Sequence, residues 1–333
     1  MPGEGRGTRR GRGGPRAHDL VASRALSVPR VSGPLFITGG SGFVGQRVLR
    51  LLANAGFADV RVLARDPARL AAVGVLPLGW RVVRGDLARP ADWRSHLEGV
   101  GTVVHLAAST GKVRQRDHVE TIVAGTRRLL DAAHGADVAR FLYVSSVAAG
   151  FAKIRYYHYA HAKIAAEELV RASPFDWLIV RPTMVLGPAS PVLAGLRKLA
   201  ALPVPLMFGA GVDVVEPIAG EDLAAFLVSA LGAVPWAGRT VTVGGPERVT
   251  VGELLGRIRG GAPVARFMHL PIAPVREILG ILEPLLFPIL PLTAGQLATF
   301  DNPSAAESDE FTRQLATPRV PIAGMIADAP HGH

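Results

Sequence analysis

The 333-residue sequence predicts an α/β fold, a doubly wound parallel sheet with a smaller C-terminal lobe. Three observations predict it. Short, almost wholly apolar runs alternate with segments of helical period, the pattern of parallel strands covered on both faces. Glycines crowd the junction of the first run and the first helical segment, in FITGGSGFVG (36–45). After residue 182 the alternation breaks, and proline and glycine become dense.

The strands follow in order: PLFIT (34–38), DVRVLAR (59–65), a run within GWRVVRGDL (79–87), TVVHLAA (102–108), RFLYVSS (140–146) and DWLIVRP (176–182). Helical patterns separate them, clearest in HVETIVAGTRRLLDAAHGA (118–136) and HAKIAAEELVRA (161–172). Right-handed crossovers then wind the sheet on both faces. Beyond residue 182, EDLAAFLVSALGA (221–233) reads as one more helix and TVTVGG (240–245) as one more strand. Thr250 precedes a further helix as an N-cap, with Glu253 placed for a capping box.

Composition excludes several chemistries. The chain has no cysteine, so it has no disulfide, thiolate metal site or cysteine nucleophile. No metal is expected. A reducing compartment fits, and the cytoplasm is the expected location. The formal charge is +10. The first 30 residues hold seven arginines against Glu4 and Asp19, in a Gly-rich stretch without the apolar core of a secretory signal. This reads as a disordered basic tail, with no nucleic-acid partner expected.

The glycine turn needs a reason, because glycine weakens strands and helices alike. It sits where a helix N-terminus offers free N–H groups and a positive dipole end to an anion. Gly39 permits the sharp turn, Gly42 lets backbone approach a pyrophosphate, and Gly45 lets the helix lie close to the sheet. Thr38, Gly39, Ser41, Gly42, Phe43, Val44 and Gly45 are therefore the candidate contacts of a dinucleotide.

The spacing T-G-x-x-G-F-x-G resembles the extended and atypical short-chain dehydrogenases/reductases, the NAD-dependent epimerase/dehydratase family, whose fold is a Rossmann sheet. Five more motifs resemble that family in the family's order. RGDL (84–87) resembles the adenine loop and implies contacts from Asp86 and Leu87. VVHLAA (103–108) resembles the strand that passes the cofactor ribose, implying Ala107 and Ala108. YVSS (143–146) resembles the active-site serine strand, YAHAK (159–163) the Y-x-x-x-K motif, and RPTMVLGP (181–188) the segment after the sixth strand, implying Pro182. The resemblance covers roughly residues 34–260 and implies this organisation: tail 1–32, Rossmann domain 33–182, substrate lobe 183–310 with elements returning to the Rossmann core, and C-terminal tail 311–333.

Tyr159 and Lys163 stand four apart and share a helix face. A nearby cation favours the phenolate, so Lys163 is expected to lower the tyrosine pKa. Ser146 ends the fifth strand and can hold a carbonyl or alcohol oxygen while Tyr159 moves the proton. The resemblance adds a lysine contact, from Lys163, to the nicotinamide ribose, with Tyr159 also beside the cofactor. One departure is Ile122, where many members carry an asparagine that helps hold a water in the proton path.

The second strand ends in Arg65, where a 2′-phosphate would lie, so NADP is the expected cofactor. If Asp66 turned inward, NAD would replace it. Met184 stands where nucleotide-sugar epimerases carry asparagine, and the lobe is apolar, so an apolar small-molecule ketone or alcohol is the expected substrate. The alternatives are a nucleotide-sugar epimerase or dehydratase, and a non-catalytic dinucleotide-binding subunit like the accessory subunit of respiratory complex I, which PLTAGQLATFDNPS (291–304) resembles. A homodimer is the expected assembly. The apolar stretch 271–293 is interrupted by Arg276, Glu277, Glu283 and prolines, so it is read as an interfacial or lid helix and not a membrane span.

Overall fold

The computed structural model describes residues 33–327, apart from 75, 205, 234, 262–266, 288, 290–292, 308–309 and 316–318. The expected basic tail, 1–32, lies outside the described residues.

Seven strands form one sheet: β1 (Leu35–Thr38), β2 (Val60–Ala64), β3 (Arg81–Arg84), β4 (Thr102–His105), β5 (Arg140–Val144), β6 (Asp176–Pro182) and β7 (Arg239–Val243). Their spatial order is β7-β6-β5-β4-β1-β2-β3, and every neighbouring pair is parallel. The order reverses between β1 and β4. In such sheets the crevice at the strand ends beside that reversal is where ligands bind, and the glycine turn lies there.

Side-chain alternation splits the core into two layers. Leu35 and Ile37 of β1 join Leu49 and Leu52 of α1 (Phe43–Asn54) on one face. Phe36 joins Leu129 of α2 (Gly125–His134) and Val170 of α3 (His158–Arg171) on the other. The segment leading into α2 runs as a short helix, Gln115–His118, then a π stretch, Val119–Ala124. Phe141 and Tyr143 of β5 lie fully buried in that second layer.

Two elements beyond residue 182 return to the sheet domain. β7 adds to β6, and α5 (Gly220–Gly232) follows α4 (Pro191–Ala200) and packs on the α1 side, with Leu223, Leu227 and Leu231 in the first core layer. Arg47 of α1 bonds Glu221 of α5 at 2.7 Å. The remaining lobe is built from three two-stranded pairings and from α6 (Val251–Ile258) and α7 (Ile272–Leu286). The capping box forms at the start of α6: Thr250 accepts from Glu253 N–H and Glu253 accepts from Thr250 N–H.

The segment expected as a C-terminal tail is docked where described. Ile322 and Met325, in a five-residue helix, are buried with Leu193, Met207 and Leu254. Val320 N–H donates to Asp222 (2.6 Å) and Ile322 N–H to Glu247 (2.7 Å). The apolar period is too short to read as an element; a lobe missing one wall holds it.

Asn302 ties the lobe to the loop that precedes α3. Its Oδ1 accepts from Lys153 N–H at 3.0 Å, and its Nδ2 donates to the carbonyls of Lys153 (3.1 Å) and Ala298 (2.9 Å). The residue is 2% exposed, so truncation leaves buried backbone groups without partners. Asn302→Ala should lower stability by ~1–3 kcal/mol for each group so stranded; chemical denaturation of the two proteins checks this, and an unchanged midpoint would contradict it.

Candidate functional site

The glycine turn is as tight as the sequence requires at two of its positions. Gly39 has φ +75°, and a Cβ there would lie 2.6 Å from the Ala107 nitrogen. A Cβ on Gly45 would lie 2.1 Å from the Gly39 carbonyl oxygen. Gly42 donates to that same oxygen at 3.0 Å and starts α1 with no side-chain cap and no acid in the first turn. The positive end of α1 therefore faces the turn, with Thr38, Ser41 and Val44 around it. The Phe43 ring points elsewhere. Arg47 stacks on it at 3.8 Å, and it lies against Gly187 and Gly220, so only its backbone serves the turn.

β4 delivers His105 into a fully buried position between two threonines. Thr38 Oγ1 lies 2.6 Å from Nδ1, and Thr126 Oγ1 lies 3.0 Å from Nε2. Thr126 donates its own proton to the Ile122 carbonyl. Its oxygen therefore accepts from Nε2–H, and Nδ1 accepts from Thr38. Burial holds the ring neutral, with its pKa pushed down to about 3. The cross-link fixes the strand exit that carries Ala107 and Ala108; Ala107 N–H lies 3.4 Å from Thr38 Oγ1. Ile122 is buried and offers only its carbonyl, already used by Thr126.

Ser146, Tyr159 and Lys163 come together at the end of β5. Ser146 hydrogen-bonds Tyr159 and also accepts from Ala148 N–H at 3.2 Å. Ser145 faces Glu167 instead, as alternation along the strand demands. Lys163 is 1% exposed; its Nζ donates to the Val144 carbonyl at 2.8 Å and the Tyr143 hydroxyl at 3.3 Å. It lies 5.9 Å from the centre of the Tyr159 ring.

The electrostatics correct one expectation. Burial pushes the Tyr159 phenol up to about 12, and the Ser146 hydrogen bond only partly opposes it. The lysine does not lower the phenol; the same burial lowers Lys163 itself to about 7, with Glu167 pulling back up. Desolvation outweighs the charge–charge attraction because both groups sit in the second core layer.

Glu167, one helical turn past Lys163, is fully buried. Arg181 grips it with Nε at 2.8 Å and Nη2 at 2.6 Å, and Arg171 joins from the same helix. These bonds hold the carboxylate below its usual range despite burial. Sequence reasoning did not single out Glu167, Arg181 or His105, although the Lys163–Glu167 spacing of four was visible.

A second group gathers at the ends of β2 and β3. Arg65, Arg84, Asp86 and Arg89 line an open hollow of about 520 Å³. Asp66 is turned back on its own chain: its Oδ1 accepts from Ala68 N–H at 3.1 Å, and Oδ2 lies 3.9 Å from Arg69. Asp86 likewise accepts from Ala88 N–H at 3.0 Å, while its carbonyl accepts from Trp93. Arg84 was missed, because an arginine closing an edge strand carries no distinctive pattern. Leu87 is buried beside Gly125, and Pro182 is buried at the end of β6.

Residues 39–232 match the family model described as NAD(P)H-binding. The (4-alkanoyl-5-oxo-2,5-dihydrofuran-3-yl)methyl phosphate reductase of Streptomyces griseus is 30% identical over 74% of this chain and 80% of its own length. This chain belongs to the NAD(P)H-binding family. A ceramide reductase of Caulobacter vibrioides is 35% identical over 59% of this chain, and the match spans 60% of that relative's length. A divinyl chlorophyllide a 8-vinyl-reductase of Oryza sativa is matched over 64% of its length at 29% identity. Among solved structures, a double mutant of DesIV, the dTDP-glucose 4,6-dehydratase of Streptomyces venezuelae solved with NAD and DAU bound, superposes with a TM-score of 0.68 at 22% identity, over 88% of this chain and 95% of that one. That likeness shows the epimerase/dehydratase fold.

In this NAD(P)H-binding protein the buried lysine makes a pH signature. Between about pH 7 and 10.5 the unfolded chain keeps a proton on Lys163 that the folded chain lacks. Stability attributable to this residue therefore rises with pH across that window and is lowest below pH 7. The stability of wild type relative to Lys163→Met should climb from pH 7 to 10; parallel curves in pH-dependent denaturation would contradict the assignment.

Proposed function

We propose that this protein is an NADP-dependent oxidoreductase that transfers hydride between nicotinamide and a carbonyl or hydroxyl group of an apolar small molecule. The carrying observation is the convergence of Ser146, Tyr159 and the buried Lys163 at the strand end beside an uncapped, glycine-lined helix start. The turn fits a dinucleotide: side chains are excluded at Gly39 and Gly45, and the first turn of α1 carries no acidic residue.

Bound nicotinamide would supply or accept the hydride. The chain's own residues do the rest. Ser146 donates a hydrogen bond to the substrate oxygen and orients it. Tyr159 gives that oxygen a proton as negative charge develops on it. Burial keeps the phenol protonated at neutral pH, the form that gives a proton to a carbonyl oxygen being reduced. Lys163 anchors the helix to the Val144 carbonyl and presents its remaining donor toward the ribose position. The apolar substrate class is supported by Met184, which stands where nucleotide-sugar epimerases carry asparagine, and by the relative named as a ceramide reductase.

NADP is favoured over NAD because Asp66 is held by its own turn while Arg65 and Arg84 face one hollow. Guanidinium pairs there match a 2′-phosphate in charge and geometry.

Two outcomes are expected. Arg65→Ala should weaken NADPH binding by ~1.5–3 kcal/mol, the range for a hydrogen bond to a charged group, and leave NADH binding nearly unchanged; equal losses in calorimetric titrations would overturn the phosphate assignment. Tyr159→Phe should keep the fold and cofactor affinity while turnover of an NADPH-consuming carbonyl substrate falls ~10²–10⁴-fold. Near-normal turnover by the variant would move the proton donor elsewhere. Tight NADPH binding with no turnover of any carbonyl compound would favour a non-catalytic dinucleotide-binding subunit.

A further inference from the structure

Helix α7 is inverted relative to an ordinary surface helix, which turns its charges to water and its apolar stripe inward. Its charged side chains all face protein. Arg276 pairs with Asp301 at 3.3 Å, Glu277 with Arg155 at 3.1 Å and the Tyr156 hydroxyl at 3.0 Å, and Glu283 accepts from Ala294 N–H at 3.0 Å. Ile272, Val275 and Leu279 fill the inner face. What remains outside is a stripe of Ile278 (56% exposed), Ile281 (70%), Leu282 and Leu285 (81%), at spacings of three and four, continued past the helix by Ile289 (75%). No acidic side chain lies on that stripe.

Cations border its end. Lys112 and Arg114, in the loop after β4, lie 5.1 and 5.2 Å from the centre of the Phe287 ring, just past the last turn of α7. Arg116 follows on the same stretch, its largely exposed side chain paired with Asp117 at 3.5 Å. An exposed apolar stripe bordered by polar and charged side chains marks a binding surface. The helix has 15 residues, and no helix among the described residues is long and apolar enough to cross a membrane.

We propose that the outer face of α7, with Lys112 and Arg114, docks the protein flat on an anionic lipid surface. The aliphatic stripe takes the acyl–headgroup boundary and the cations take lipid phosphates, as amphipathic interfacial helices do. A second copy of the chain fits less well, because a two-fold contact through this ridge would bring Lys112 and Arg114 of both copies together. The inference does not depend on the hydride-transfer reading. Arg155 and Tyr156, held by Glu277, run directly into the helix that carries Tyr159, so α7 is tied to that helix by its inner side.

The test is flotation of the full-length protein with vesicles of phosphatidylglycerol and phosphatidylcholine, against phosphatidylcholine alone. Wild type should float with the anionic vesicles. Ile281→Asp combined with Leu285→Asp should weaken partitioning about tenfold or more, and so should Lys112→Glu combined with Arg114→Glu, since each surface cation is worth about fivefold. NADPH affinity should be unchanged in both. The charge-reversal pair lies in a surface loop and keeps the test valid if the aspartate pair fails to fold. Failure of wild type to float, or equal flotation of all variants, as when the basic leader carries the binding, would overturn the proposal. So would light scattering that shows a wild-type dimer becoming a monomer in the aspartate variant with vesicle binding unchanged.

Discussion

A buried lysine amine needs partners, and the arrangement of the site follows from how Lys163 obtains them. Its Nζ reaches the last carbonyl of β5, Val144, and the Tyr143 hydroxyl, which ties α3 to the end of that strand. Tyr143 in turn hydrogen-bonds Thr126, Thr126 receives His105 Nε2–H, and Thr126 closes on the Ile122 carbonyl. The donors run in one direction from the lysine into the π stretch before α2. On the other side Glu167 supplies the compensating charge, clasped by Arg181 of β6. Remove the lysine and the end of β5 loses its side-chain tie to α3.

That network bears on the missing asparagine. The expected side chain would have faced a proton path from the fourth helix; Ile122 instead contributes packing and a carbonyl that is already bonded. Val119–Ala124 runs as a π stretch, and Thr126 bonds the Ile122 carbonyl four residues back. Such stretches are frequent at functional sites because they displace one turn without ending the helix. At the Tyr159 phenol, Ser146 opposes burial only in part, and the pKa stays high.

The lobe distributes its apolar residues between two roles. Leu186, Met207, Leu254 and Ile322 pack with one another. The exposed aliphatic stripe of α7 belongs to a different surface. Composition alone could not separate these, since both read as leucine- and isoleucine-rich sequence. The charges of α7 decide the matter: each one found an inward partner, so the apolar side was left outside.

Much was legible from the chain. Six strands appear within two or three residues of where apolar runs placed them; the inner ones are buried on both faces and so apolar, while β3 at the sheet edge exposes three of its four residues. The glycine turn was legible because only a residue without Cβ fits at Gly39 and Gly45. Tyr159, Lys163 and Ser146 were legible as spacings. The sequence alone determined this frame and these residue types, since both are consequences of local backbone geometry and pattern. Tertiary structure alone decided which way Asp66 turns, that Arg84 stands beside Arg65, that Glu167 is clamped by Arg181, and that burial overrides the lysine in setting the Tyr159 pKa. Those outcomes depend on groups far apart in sequence and on the water removed around them, and neither distance nor desolvation is written in the order of residues.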